Sequence, residues 1–434
     1  MRQRSVERES PAEVLSAAKD LRLKEPLADP ERLELPTSAF EAHCSIHLSY
    51  GSAPLLSLAG LAWKSLAAAR YPKSPFRNRL IPVFYNVLVK NWDVIIVGGG
   101  IIGVSLSIAL HKRGVRVLVV ERGEPGREAS HAAAGMLVDH RAETPPALQA
   151  LASASARMYP EFALELHDES GIKVDLRDPG TLLLDHLPAD SQHPTVSVEE
   201  LEPAVADPQR PAALLRERSV DPRALTEAAV KAARHRGVDI ASGKAVTAVL
   251  LSDGKVSGVS TDKSHYSAPV VVNCAGAWAG QIFPHRFPTR PMKGQMLSVV
   301  GQPVVRHVIR GLEVYLVPRS DGRILIGATV EDVGYDKRVD PGTIHRLHQA
   351  AIRLVPALAQ ARILEAWAGL RPGTPDNLPI LGATETPGYF VAAGHFRDGI
   401  LLAPITARVM AQVICHERPD HDLSAFSPAR FQAA

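Results

Sequence analysis

Three glycines, spaced Gly98-x-Gly100-x-x-Gly103, follow the apolar run Val94-Ile95-Ile96-Val97 and open a second apolar stretch. That spacing suits a backbone that must hold a pyrophosphate. The first glycine makes a tight turn, the second lets phosphate approach the chain, and the third lets helix and strand pack closely. The N-terminus of the following helix offers free N–H groups and a partial positive charge. Glu121, at the end of the next apolar run, stands where a carboxylate can accept ribose hydroxyls. The spacing predicts a dinucleotide site without choosing between NAD and FAD. Two arginines form a second set. Arg371 lies in Leu370-Arg371-Pro372-Gly373, an apolar and turn-forming setting. Its planar fork suits a carboxylate ligand, and it equally suits a surface ion pair. Arg397 lies between Gly394 and Gly399. Tyr315 sits in an alternating stretch, where it either packs or offers its hydroxyl.

The elements that must carry these residues read as strand–helix–strand from Trp92, with strands at 94–97 and 115–120. A helix is expected over 153–170, ending at Gly171, with short strands near Val174 and over 180–184. Asp221-Pro222 starts a helix, as N-cap and first helical residue, that runs to Gly237. Asp253-Gly254 and Asp321-Gly322 each join a hairpin, 245–252 with 255–261 and 314–318 with 323–328. Strands follow at 269–274 and 388–393, and helices at 341–358 and 400–415. The pattern is α/β at both ends with antiparallel β material between.

Bulk properties exclude several classes. The 434 residues are 46% hydrophobic and 22% charged, ordinary for a globular chain. A net charge of +3 gives no footing for nucleic acid. Three scattered cysteines, Cys44, Cys274 and Cys415, support neither a disulfide framework nor a metal cluster, and favour a reducing, cytoplasmic setting. No run of about 20 uncharged apolar residues is present, Lys64 breaking the nearest at 53–69, so no membrane span is expected. Glu331, Asp332 and Asp336 lack metal-ligand spacing and read as a solvated loop. Residues 1–91 show no lasting period and read as an extension or a start codon placed too early, with 35–45 resembling a mistranslated transfer-RNA gene.

Several blocks together resemble the D-amino acid oxidase family of flavoproteins, and within it the glycine oxidase branch of thiamine biosynthesis. They are the glycine motif, 126–137, Asn273-Cys274-Ala275-Gly276-Ala277-Trp278, Lys293-Gly294-Gln295, 367–376 and 394–404, in family order. The resemblance implies an α/β fold: a Rossmann-like FAD-binding domain of discontinuous segments (92–171, 217–288 and 364–420) and an antiparallel β-rich substrate domain (172–216 and 289–363). Residues 421–434 form a tail. It implies non-covalent FAD, since no cysteine lies near Arg371 to tether it. Residue by residue, it places Gly98, Gly100, Ile101, Ile102 and Gly103 at the pyrophosphate and Glu121 and Arg122 at the ribose and adenine end. It places Ala129, Ser130, Ala134, Gly135 and Met136 along the cofactor. Val246 falls at the adenine, and His395, Phe396, Arg397, Asp398, Gly399, Ile400 and Leu401 beside the isoalloxazine. Arg371, Arg397 and Tyr315 become substrate residues.

The implied activity is oxidation of glycine and similar small amines, such as sarcosine and small D-amino acids, with oxygen as acceptor. The products are hydrogen peroxide and an imine, which hydrolyses to glyoxylate and ammonia or passes to a thiazole synthase. The alternative is a dehydrogenase of the same fold that passes electrons to a quinone or carrier. No side chain is required as acid or base, because the flavin carries the chemistry. His395 is expected to act through its backbone, and the helix from Ile400 to aim its N-terminus at the flavin. A homo-oligomer is expected.

Overall fold

The computed structural model describes residues 91–139, 144–185, 195–302 and 304–431. The expectations for 1–90, including the 35–45 and 53–69 segments and Cys44, lie outside the described residues.

The run Val94-Ile95-Ile96-Val97 becomes the middle of a six-stranded sheet. Its order is Ile380–Ala383, Tyr389–Ala393, Val270–Asn273, Val94–Val97, Val117–Val120, Asp239–Ala241. All neighbours are parallel except the first pair. Both faces are covered, which is why these strands are apolar throughout rather than alternating. Val94, Ile96, Val117 and Val119 face a helical layer of Ile101–His111, Pro146–Ser170, Pro222–Arg236 and Ala403–Ile414. Ile95, Val97, Leu118 and Val120 face a three-stranded antiparallel sheet built on the Val246–Ser252 and Lys255–Thr261 hairpin. The Asp253-Gly254 turn has φ of 50° and 70-odd degrees at its two residues, the mirror-image turn a two-residue hairpin needs.

A seven-stranded mixed sheet forms the second layer. Its order is Arg362–Gly373, Arg290–Val300, Arg323–Gly327, Tyr315–Pro318, Val308–Arg310, Thr181–Leu184, Ala212–Leu215. Leu297, Val299, Leu316, Ile324 and Ile326 point to one side, onto the helix Pro341–Leu354. Met296, Val308, Tyr315, Val317 and Leu325 point to the other, toward Ala134 and Met136.

Helix signals at termini hold well. Asp221 Oδ1 accepts from the Arg223 and Ala224 N–H groups at 2.9 and 3.4 Å, and Gly237 closes the helix with φ of 95°. Other boundaries are corrected. The helix expected from 153 begins at Pro146, whose missing N–H costs nothing at a first turn. The helix expected to reach 358 stops at Leu354, because Pro356 disfavours helix at the residue before it and starts a separate 3-10 turn. The last helix starts at Ala403, after a turn closed by Leu402 N–H to Asp398 O at 2.8 Å. The strand expected from 115 starts at Val117. The boundary drawn at 364 falls inside the strand Arg362–Gly373, which pairs with Arg290–Val300 in the mixed sheet. The terminal segment packs on the fold: Phe426 is buried, and Arg430 holds Asp376 at 2.8 Å.

Candidate active site

A single cavity of about 1500 Å³ runs from the glycine turn to the mixed sheet. At its first end Gly98 adopts φ of 109°, a region only glycine enters without strain, and a Cβ there would lie 2.5 Å from the Cys274 carbonyl oxygen. A Cβ on Gly103 would lie 2.1 Å from the Gly98 oxygen, so helix and strand meet without room for a methyl group. Ser130 Oγ accepts the Ile101 N–H at 3.0 Å at the helix start. Glu121 is buried; Oε2 accepts from Gly99 N–H at 2.7 Å and Oε1 from Gly123 N–H at 2.9 Å. Each carboxylate oxygen has a second acceptor site for a hydroxyl. This turn, with its helix N-terminus and buried acid, fits the pyrophosphate and ribose of a dinucleotide. Further along, the Arg122 guanidinium lies 3.5 Å over the Trp278 ring and bonds Glu128 at 2.7 Å.

At the other end the two longest strands carry the site. Arg371 lays its guanidinium flat over Gly294; a Cβ there would meet Nη1 at 2.3 Å and Nη2 at 2.4 Å. Nη1 donates to the Thr329 carbonyl at 3.1 Å and the Lys293 carbonyl at 3.4 Å. Gly327 likewise clears space for Tyr315, whose hydroxyl oxygen lies 2.5 Å and ring carbons 2.6 Å from where a Cβ would stand. The Tyr315 hydroxyl donates to Met296 Sδ at 3.6 Å. Burial pushes its pKa up, while Arg371 and Arg397 pull it down. Behind Arg371 sits a polar cluster. Glu331 accepts from Gln295 Nε2 at 2.9 Å and from the Thr329 hydroxyl, with Lys293 Nζ 3.7 Å away. Lys293 is 5% exposed. Glu331 therefore belongs to a packed network, which corrects its reading as a solvated loop; Asp332 is exposed as expected.

The loop between the two ends is fixed from behind by the long helix. Ser155 donates to the Leu401 carbonyl at 2.6 Å, and the Tyr159 hydroxyl donates to the Ile400 carbonyl. His395 is buried, its Nε2 is 3.2 Å from the Thr406 hydroxyl, and burial pushes its pKa down to about 3. Such a ring is neutral at working pH and makes a poor proton acceptor. The Arg319 guanidinium, also buried, donates to the Ala134 carbonyl in the facing loop.

The structure brings nearly all the expected residues to this one cavity. Gly98, Gly100, Ile101, Ile102, Glu121, Arg122, Ala129, Ser130, Ala134, Gly135, Met136 and Val246 line it. So do Tyr315, Arg371, His395, Phe396, Arg397, Asp398, Gly399 and Ile400. Two do not: Gly103 is used in packing, and the Leu401 side chain is 1% exposed in the helical core. Residues at the Trp278 end that sequence reasoning did not single out include Lys244, Thr247 and Gln281. Lys244 lies in a loop, Thr247 inside the strand Val246–Ser252 and Gln281 at the end of the 3-10 turn Gly276–Gln281, and they carry no spacing signal. Cys274 lines the wall as a buried free thiol whose pKa burial raises, a packing role.

The family model "DAO: FAD dependent oxidoreductase" matches residues 93–413. The chain belongs to this family. The family's cofactor is FAD, and the glycine turn and buried Glu121 are the parts that fit it. Among relatives, the bifunctional protein ThiO/ThiG of Trichormus variabilis is 37% identical, over 78% of this chain and 55% of that protein. The chain thus spans about half the length of the bifunctional relatives it matches. The hydrogen cyanide synthase subunit HcnC of Pseudomonas aeruginosa is 33% identical, over 79% of this chain and 97% of that one. The crystal structure of glycine oxidase from Geobacillus kaustophilus superposes with a TM-score of 0.74 at 32% identity, covering 78% of this chain and 99% of that one. Among the described residues of this family member, no helix is long and apolar enough to cross a membrane.

Proposed function

We propose that the chain oxidises glycine or a similarly small amine, with molecular oxygen as the electron acceptor. The observation that carries this reading is the Arg371 guanidinium, seated over Gly294 and steadied by two carbonyls at the cavity wall. Its fork receives the substrate carboxylate, and the Tyr315 hydroxyl donates a further hydrogen bond to it. The raised pKa of Tyr315 keeps the phenol protonated for that purpose. Arg397 adds positive charge at the same end. Fixing the carboxylate fixes the Cα–H and the amine, so orientation is the main catalytic contribution of these side chains. The apolar wall of Met296 and Ala328 disfavours an ammonium group and favours the neutral amine. With His395 neutral, the amine's proton leaves to solvent. FAD, when bound, supplies the two-electron acceptor. The resemblance to ThiO/ThiG supports release of the imine to a thiazole synthase, and a homo-oligomer is the expected assembly.

A peroxide assay over glycine, sarcosine, D-alanine and D-proline tests the reading. Arg371→Ala removes the carboxylate anchor and is expected to lower kcat/KM by on the order of 2–5 kcal/mol of transition-state binding. Unchanged kinetics would remove Arg371 from the site. The same cavity would equally serve one second reading, transfer of the electrons to a carrier instead of oxygen. Substrate-dependent dye reduction without peroxide would select it.

A further inference from the structure

The mixed sheet carries one more arginine into the cavity. Arg310 stands opposite Tyr315, Tyr315 opposite Gly327, and Gly327 opposite Met296. Residues directly opposite one another share a sheet face, and all four line the cavity. On its other side Arg310 pairs with Leu183, another lining residue. The row that places Tyr315 in the site thus places Arg310 one strand further out.

Arg310 is drawn to Glu217, with Nη1 3.7 Å from the carboxylate, and the two side chains are 18% and 3% exposed. One ion pair at that distance leaves capacity on a guanidinium with five N–H donors. Leu183, paired with Arg310, and Leu215, paired with Thr181 two residues before Leu183, present apolar side chains on the same sheet face and line the cavity. Apolar walls strengthen a charge-charge contact by excluding water. Glycine held by its carboxylate at Arg371 has no atoms to send there.

We propose that Arg310 is a second anchor of the substrate cavity: it binds a carboxylate on a substituent of the amine, so amino acids carrying a second acid are held at both ends. The inference rests on the amine-oxidation reading of the same cavity. Binding measured without turnover separates the two. The holoenzyme is titrated calorimetrically with the α,ω-dicarboxylates from malonate to adipate, each compared with the monoacid of equal length. The expected result is at least one dicarboxylate that binds tenfold or more tightly than its monoacid. Arg310→Met should cut that preference below twofold, and Arg310→Lys should keep part of it. Flavin content reports whether each variant is folded. Wild-type protein that favours no dicarboxylate overturns the inference whatever the variants do, as does a preference that survives in Arg310→Met. Failure of amine oxidation itself would appear separately, as no flavin bleaching by any amine.

Discussion

Gly294→Ala separates the position of Arg371 from its presence. The added Cβ would stand 2.3 to 2.5 Å from Nη1, Nη2 and Cζ of Arg371. Ordinary contact needs about 3.4 Å or more, so the guanidinium must retreat by roughly 1 Å. The clash is with the far end of a flexible side chain, and Gly294 sits in regular antiparallel pairing with Gly369. The fold should tolerate it within about 1 kcal/mol. Binding should not: a displacement of about 1 Å in a positioning group typically costs around a hundredfold in rate, or about 2.7 kcal/mol. The expected outcome is kcat/KM for glycine reduced about a hundredfold, with thermal midpoint and flavin content near wild type. Steady-state peroxide kinetics beside a melting curve measure both. Wild-type kinetics in Gly294→Ala would refute the stacked placement of Arg371. A protein that lost flavin and activity together would show that Gly294 serves the fold rather than the anchor.

Gly98→Ala should abolish flavin retention and lower stability by several kcal/mol, since both φ and the Cys274 carbonyl oppose a side chain there; absorbance of the purified protein near the flavin band checks it. Tyr315→Phe should raise KM for glycine about tenfold, the worth of one hydrogen bond to a charged group, with little change in melting temperature. His395 adds a pH dependence with a definite sign. Its folded pKa of about 3 lies below the unfolded value of about 6.5, so the unfolded chain binds more protons between them. Its contribution is complete above about pH 6.5 and is lost as pH falls toward 3, by about 1.4 kcal/mol per pH unit at most. Denaturant melts at pH 7, 5 and 4 should show a slope that flattens in His395→Gln.

Local chemistry made much of the frame readable from sequence. The glycine turn, the Asp221-Pro222 helix start and the Asp253-Gly254 hairpin are each fixed by what a few neighbouring residues permit. The two strands that carry the substrate end were harder to see. Arg290–Val300 contains Lys293, Gly294 and Gln295 where alternation would want apolar residues, and Arg362–Gly373 contains Gly369 and Pro372. Those residues make sense only in three dimensions: Gly294 for Arg371, and Lys293 and Gln295 for Glu331. Arg310 was invisible for the same reason. A lone arginine ending a three-residue strand gives no pattern, and only the pairing with Tyr315 places it.

The hydroxyls of Tyr159 and Ser155 have a consequence of their own. By taking the Ile400 and Leu401 carbonyls from the helix side, they lock the orientation of those peptide planes. Planarity then turns the Leu401 N–H away from the helix, opposite its neighbour's carbonyl. An orientation held this way has no titration midpoint. Acid, base or metal chelation would leave it untouched, and only a change in chain path would reverse it.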